Sequence, residues 1–178
     1  MQLYPDCPIV SRTVEVGGLT KSQLIQKLQQ YSILMNEYGE RLLADDKFMT
    51  SNTKYSLKTV ELTVIDLGFP DGATTDQLFK RASELGLELC PLELGPQLRL
   101  EYLEQPEGYL GTASQQHQAP SGSITIASEI LTKDDDFPKG FYLRINGVLW
   151  LRGYIADNLH VWKPEDHFIF VKQKNFKK

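Results

Sequence analysis

The dipeptide Asn146-Gly147 lies between two alternating apolar runs in "FYLRINGVLWLRGY" (residues 141–154), and this pattern constrains the fold most. A type I′ turn needs positive φ at both central positions, which Asn and Gly adopt readily, so the stretch predicts a two-residue β-hairpin. Such a loop sets these cross-strand pairs: Ile145 with Val148, Leu143 with Trp150, and Phe141 with Arg152. The paired side chains share one face, and all but the arginine are apolar, so we expect this face to point into the core.

This register assigns a role to each large polar or aromatic side chain of the hairpin. Trp150 is expected in the core, and Arg144 is expected on a solvated flank of the opposite face. Arg152 lies on the apolar face at the open end of the hairpin. A buried guanidinium needs an acidic partner or an opening, so Arg152 is a candidate for ligand contact.

The segment "LHVW" (residues 159–162) follows the hairpin and places His160 and Trp162 on one side if it is a strand. Trp162 has two interpretations: an exposed indole of a binding surface, or a ring that closes the edge of the core. The candidate binding residues are Arg99, Arg152, His160 and Trp162. A concave pocket that they line beside an acid would favour an enzyme.

Residues 1–56 are predicted as a helical N-terminal region with an extended start. Thr20 with Gln23 has the spacing of a capping box, and Leu24 and Leu28 fall on one helical face. Asn36 is expected to cap a second short helix.

Residues 57–178 are predicted as an α+β domain with a C-terminal β-hairpin. Strands at 60–68 and 87–95 enclose a helix capped by Thr74 and ended by Gly86. The two strands are either parallel neighbours or have another strand between them.

The remaining segments complete an α+β fold, in which a short helical N-terminal part and one strand-helix-strand unit precede a β-rich C-terminal half with a mixed or antiparallel sheet. "QLRLEYL" (residues 97–103) alternates like a half-buried strand, and "SITIASEIL" (123–131) predicts another. The polar stretch at 105–122 is long for a connection, which is typical of functional or mobile loops.

Composition argues against some classes of protein. Lys and Arg number 19 against 23 Asp and Glu, for a net charge of −4, so binding to a nucleic-acid backbone is not favoured.

Cys7 and Cys90 are expected to be reduced thiols. The first ten residues have no signal-peptide pattern, and no apolar run approaches the about 20 residues that span a bilayer. We therefore expect a cytoplasmic protein without a membrane partner.

No motif supports a metal, a cofactor or a catalytic group. His117, His160 and His167 form no zinc pattern, and the acidic run at 134–136 is most simply a solvated turn. Asp66, Asp71 and Asp76 cluster where α/β enzymes hold magnesium, but turn and helix-start roles explain Asp71 and Asp76. Phosphate-binding glycine loops are absent from the sequence, so we expect no nucleotide cofactor.

"ELTVIDLGFPDGATTDQLFKRASELGLELCPLELGPQLRLEYLEQPEG" and "DDDFPKGFYLRINGVLWLRGY" resemble a family of uncharacterised small soluble bacterial proteins, and "GGLTKSQL" extends the resemblance to most of the chain. Some of these proteins have a helicase label, yet the nucleotide-binding loop of a helicase is absent here. The resemblance implies no activity and transfers no functional residue.

The sequence favours a non-catalytic binding or protein-interaction protein of the bacterial cytosol, with an unidentified protein or a small anionic ligand as its partner. An alternative is a hydrolase or transferase that uses His160 or His167 with Arg152 and an acid. A second alternative is a nucleic-acid accessory protein that uses the first helices and the basic tail.

Overall fold

The computed structural model describes residues 10–105, 122–134, 136–145, 147–156 and 159–172. Within these ranges the helices are α1 (Lys21–Gln30), α2 (Glu37–Ala44), α3 (Thr75–Glu84) and α4 (Leu94–Glu101). The strands are β1 (Val10–Val16), β2 (Tyr55–Thr63), β3 (Ala73–Thr74), β4 (Leu87–Glu88), β5 (Ile124–Ile126), β6 (Gly140–Ile145), β7 (Leu149–Tyr154), β8 (Val161–Trp162) and β9 (His167–Lys172). The predicted α+β class is confirmed.

A mixed sheet of seven strands organises the protein, with the order β1-β2-β9-β5-β6-β7 and with β4 also paired to β9. The pair β5–β9 is parallel, and the other pairs of this sheet are antiparallel. Strands β3 and β8 form a small second sheet. Strand β9 is central because it pairs with β2, β4 and β5.

The two faces of the sheet build two hydrophobic clusters. Along β9, Ile169 and Val171 belong to the first cluster, whereas Phe168 and Phe170 belong to the second. Helices α1, α2 and α4 pack on the first cluster, and α3 with Trp162 packs on the second. The first cluster combines side chains from both predicted regions, 1–56 and 57–178.

The predicted helix starts at Thr20, Asn36 and Thr74 are confirmed. Thr20 and Thr74 each form a complete capping box, and the side chain of Asn36 accepts a hydrogen bond from the backbone of Gly39. Gly86 follows α3 with a φ of 85°, as the prediction requires. These caps are local patterns, which explains why the sequence was sufficient to place them.

The strand-helix-strand unit is present, but β2 begins and ends five residues earlier than the predicted strand at 60–68, and β4 is shorter than predicted. Strands β2 and β4 both run antiparallel to β9, which lies between them, so they are parallel to each other without being neighbours. Strand β2 ends at Thr63, which exchanges two hydrogen bonds with Asp66 in the following turn. Strand β4 covers only 87–88, because β5 pairs with the rest of the same edge of β9, up to Ile169.

The strand predicted at 97–103 is wrong, because these residues belong to helix α4 and its C-terminal end. Every residue of α4 from Leu94 to Arg99 is buried. A helix buried on all sides shows no amphipathic period, so its short apolar run resembles a strand.

The hairpin is present, but its predicted register is wrong by one residue. Ile145 pairs with Leu149, so three positions separate the strands instead of two. Because side chains alternate along a strand, this shift of one residue moves each side chain of β7 to the opposite face of the sheet. The expected inward position of Trp150 and Arg152 is therefore wrong, and Leu149 and Leu151 face the first cluster instead.

Some predictions fall on other parts of the chain. Most of the long polar loop (106–121), the basic tail (173–178), Cys7, His117 and Asn146 lie outside the described residues. Within the described ranges, each helix is too short or too polar to cross a membrane.

Candidate ligand-binding surfaces

Arg99, one of the four predicted binding residues, lies inside the protein with 0% of its surface exposed. One terminal nitrogen donates to the side chain of Gln105 at 2.8 Å and to the carbonyls of Trp150 at 3.2 Å and Arg144 at 3.3 Å. The other terminal nitrogen donates to the carbonyl of Tyr102. Burial lowers the pKa of Arg99 to about 10. Arg99 thus ties α4 to the backbone of the hairpin rather than lining an opening.

Arg152 belongs to a surface that we call the arginine–aromatic face: Tyr142, Arg144, Trp150 and Arg152. Tyr142 pairs with Arg152, and Arg144 pairs with Trp150, so all four side chains project from the same side of β6 and β7. The Arg152 guanidinium lies 5.0 Å from the centre of the Trp150 ring and 5.7 Å from that of Tyr142. Cations attract the faces of aromatic rings at such distances.

The two arginines of this face have no acidic partner among the described residues. The Nε atom of each is buried and makes no hydrogen bond. Burial raises the pKa of Tyr142, and the charges of Arg152 and Arg144 act in the opposite direction. The guanidinium groups are therefore close enough to influence the Tyr142 hydroxyl.

Trp162 closes the second hydrophobic cluster, which is one of the two interpretations that the sequence left open. Its surface is 4% exposed, and its indole N–H donates to the Thr75 hydroxyl at 2.9 Å. The rings of Phe168, at 4.8 Å, and of His160, at 4.7 Å, pack against it edge-on. His160 and Trp162 are thus adjacent, on the side of the sheet that α3 covers.

A cavity of about 570 Å³ opens beside this cluster, and we call it the Ser128 cavity. Helix α3, the residues after β5 and the end of β7 form its walls. Its apolar lining consists of Phe79, Leu89, Ile130 and Ala156. A volume of this size is typical of sites for small organic molecules.

The polar lining of the cavity includes an unsatisfied hydroxyl. The Ser128 side chain is buried, with 1% of the residue exposed, and its oxygen makes no hydrogen bond. Thr75 accepts from Trp162 and retains its own hydroxyl hydrogen for a further bond. Burial raises the pKa of Tyr154, so its hydroxyl remains a neutral donor and acceptor.

Gly140 leaves space for these hydroxyl groups. A Cβ atom at this position would lie 2.9 Å from the Ser128 oxygen and 3.3 Å from the Tyr154 oxygen. Real side chains avoid the shorter of these separations, so any larger residue at 140 would press on the cavity lining. The glycine is needed here for close approach rather than for an unusual backbone angle.

Charges of both signs surround the cavity. Asp76, Glu129 and Lys133 line it with exposed side chains, and Lys139 lines it from a buried position. The Lys139 ammonium donates to the carbonyls of Asp134 at 2.7 Å and Thr132 at 3.4 Å. The four predicted binding residues are absent from the part of the lining that the structure describes.

A cluster of ionisable side chains lies on the face of the main sheet that carries the first cluster, opposite the Ser128 cavity. There the Glu61 carboxylate meets His167 at 2.7 Å and Arg12 at 2.9 Å. Burial would raise the pKa of Glu61, but the hydrogen bond with His167 and the ion pair with Arg12 lower it below its ordinary value. The hydrogen bond to Glu61 raises the pKa of His167. His167, one of the two histidines of the enzymatic alternative, thus has an acidic partner, and Arg12, not Arg152, shares that acid.

The described residues contain no group of three or more His, Cys, Asp or Glu side chains that could hold a metal ion. Cys90 is buried, and burial raises the pKa of its thiol, which keeps it protonated and unreactive. No protein-family model, curated protein or solved structure matches this chain. The resemblance to small bacterial proteins stays a prediction, and functional inference depends on the surfaces described above.

Proposed function

We propose that this chain is a non-catalytic binding protein that holds a small organic molecule in the Ser128 cavity. The observation that supports this function is the buried Ser128 hydroxyl, which has no hydrogen-bond partner. A buried polar group without a partner costs roughly 1–3 kcal/mol, and a ligand that bonds to it would remove this cost. Binding would thereby explain why a serine occupies a position where alanine would fit.

The lining defines the chemistry of the ligand. Phe79, Leu89 and Ile130 offer apolar contacts, whereas Ser128 and Thr75 offer hydroxyl groups. The charges near the opening include both signs, so the cavity suits a neutral or zwitterionic molecule with hydrogen-bonding groups. Amino acids, nucleosides and sugars fall within this range.

A thermal-shift screen with amino acids, nucleosides and sugars tests the proposal. A ligand at roughly 100 times its Kd stabilises the folded state by about 2.7 kcal/mol, which corresponds to about 5–10 °C for a chain of this size. The variant Ser128→Ala is expected to lose this shift. Without ligand, the same variant should be more stable than the wild type by about 1 kcal/mol, since it removes an unsatisfied hydroxyl.

Ser83→Ala is the matched control, because Ser83 is an exposed residue of α3 outside the cavity lining. It should keep both the ligand shift and the wild-type stability. A destabilised Ser128→Ala without any ligand effect would show that Ser128 has a structural role and would contradict the proposal. A hit that binds equally well to Ser128→Ala would contradict it too.

The pair Glu61 and His167 supports an enzyme as the second candidate. An imidazole held by a carboxylate is the arrangement of a general base, and His167 is partly exposed. Hydrolysis of generic ester substrates that disappears in His167→Gln would favour this candidate. Unchanged background hydrolysis would leave the binding protein as the better explanation.

A further inference from the structure

We infer that the arginine–aromatic face is a second binding site, for a small molecule with a dianionic phosphate monoester. This site lies outside the Ser128 cavity and does not depend on the function proposed for it. Arg144 and Arg152 are on neighbouring strands, and each stands opposite an aromatic residue. Their positions are therefore diagonal across one strand pair.

Two like charges in this arrangement repel each other. Diagonal neighbours on one face of an antiparallel pair are about 7–8 Å apart, which is within the Debye length at physiological salt. Among the described residues, no Asp or Glu carboxylate forms an ion pair with either guanidinium. An anion placed between the two groups would relieve the repulsion, and two negative charges would balance both.

The geometry beneath the face is fixed before any ligand arrives. The buried guanidinium of Arg99 holds the carbonyls of Arg144 and Trp150, which belong to the two strands of the hairpin. Gln105 adds a hydrogen bond to the carbonyl of Leu143 at 3.0 Å. The strand positions that present the arginines are thus anchored from the interior, and little ordering of the backbone is needed on binding.

The side chains of the face favour phosphate over other anions. A planar guanidinium matches two phosphate oxygens at once, and two such groups can share a terminal phosphate. Arg152 lies over the Trp150 ring, and this partly exposed indole gives an adjacent planar surface for a base or another ring. The net charge of −4 opposes a long polyanion, so a small phosphate ester fits better than a nucleic acid.

Isothermal titration calorimetry with inorganic phosphate, AMP and adenosine tests this inference. The wild-type protein should bind AMP and, more weakly, inorganic phosphate, whereas adenosine should not compete with inorganic phosphate for this face. Arg144→Gln and Arg152→Gln should each weaken AMP binding by about tenfold or more, because each removes charge-assisted hydrogen bonds. The double variant should show no saturable binding of inorganic phosphate.

The controls separate charge, geometry and folding. Lys80→Gln removes one positive charge from an exposed position on α3 and should bind AMP as the wild type does. Arg152→Lys keeps the charge without the planar fork and should weaken binding. Ser128→Ala should leave AMP binding unchanged, which distinguishes this site from the cavity. Each variant is checked by its thermal melting curve.

The inference would be overturned if the wild-type protein showed no saturable binding of AMP or phosphate at low salt. Equal affinities in the wild type and the double variant would overturn it as well. Binding of a single-stranded oligonucleotide without binding of AMP would identify a polymer site and would equally count against a small phosphate ester.

Discussion

Arg99 shows how one residue can be recognised as unusual from sequence and still be placed wrongly. The sequence predicts Arg99 in a half-buried strand and among the candidate binding residues. In the structure, the Arg99 guanidinium donates hydrogen bonds inside the protein, to the side chain of Gln105 and to three backbone carbonyls. Tyr102 and Gln105 lie three and six residues after Arg99. Arg144 and Trp150 are 45 and 51 residues away, so no local pattern around residue 99 could have indicated the contact with the hairpin.

The pair of Glu61 and His167 has a predictable effect on stability. Its hydrogen bonds lower the pKa of Glu61 below 4.5 and raise that of His167 above 6.5. A histidine with a raised pKa stabilises the folded state fully below its unfolded value and loses this effect as the pH rises through the folded value. A carboxyl group with a lowered pKa loses its contribution as the pH falls through the folded value.

We therefore expect the pair to stabilise the protein most between about pH 4.5 and pH 6.5. Urea unfolding at a series of pH values measures this. His167→Gln should remove the loss of stability on the alkaline side, and Glu61→Gln should remove the changes on both sides. If the difference in stability between wild type and His167→Gln is the same at pH 6 and pH 9, the pair does not couple protonation to folding.

Among the helices and strands, features that depend on local sequence were predicted correctly, whereas a feature that depends on long-range packing was not. The three predicted caps depend on residues within one helical turn, and all three are correct. The register of the hairpin depends on which face of β7 fits the core. Leu151 is fully buried in the observed register, and the alternative would place the charge of Arg152 in the core instead.

This register predicts opposite sensitivities for two adjacent residues. Leu151→Ala should cost about 2–5 kcal/mol of unfolding free energy, because it leaves a cavity in the first cluster. Trp150→Ala should cost only about 1–2 kcal/mol, since the indole is partly exposed and lies outside the first cluster, where it contacts Arg152. Urea unfolding of both variants provides the comparison.

Val148→Ala is the control for the hairpin, because this side chain is exposed and should be nearly neutral. A larger cost for Trp150→Ala than for Leu151→Ala would support the two-residue loop that the sequence suggested. The order of the two costs, rather than either value alone, therefore decides between the registers.

At the scale of the whole molecule, the two clusters share the strands of one sheet. Because neighbouring residues of β9 belong to different clusters, loss of one cluster removes support for the other. We expect a single unfolding transition, with the same urea midpoint by tryptophan fluorescence and by far-UV circular dichroism. Tryptophan fluorescence reports on Trp162 in the second cluster and on Trp150 in the hairpin, whereas circular dichroism follows all helices and strands. Two distinct midpoints would show that the clusters unfold separately.

The candidate sites also emerge only at this scale. The sequence marked the stretch rich in tryptophan and arginine, and Arg152 does lie on the arginine–aromatic face. The Ser128 cavity was not predicted, because Thr75, Ser128, Gly140 and Tyr154 are far apart in sequence. None of these residue types is unusual by itself, and only the sheet order brings them together.

The central place of β9 has a consequence for biosynthesis. The ribosome makes β2 before residue 64 and reaches β9 only at residue 167, roughly 100 residues later. At about 5–20 amino acids per second, this interval lasts about 5–20 s. During that time the backbone edge of β2 that will receive β9 has no native partner, and the edge of β5 is in the same position once residue 126 is made. The nascent chain should therefore depend on a holding chaperone, and slowing translation between β2 and β9 should increase aggregation.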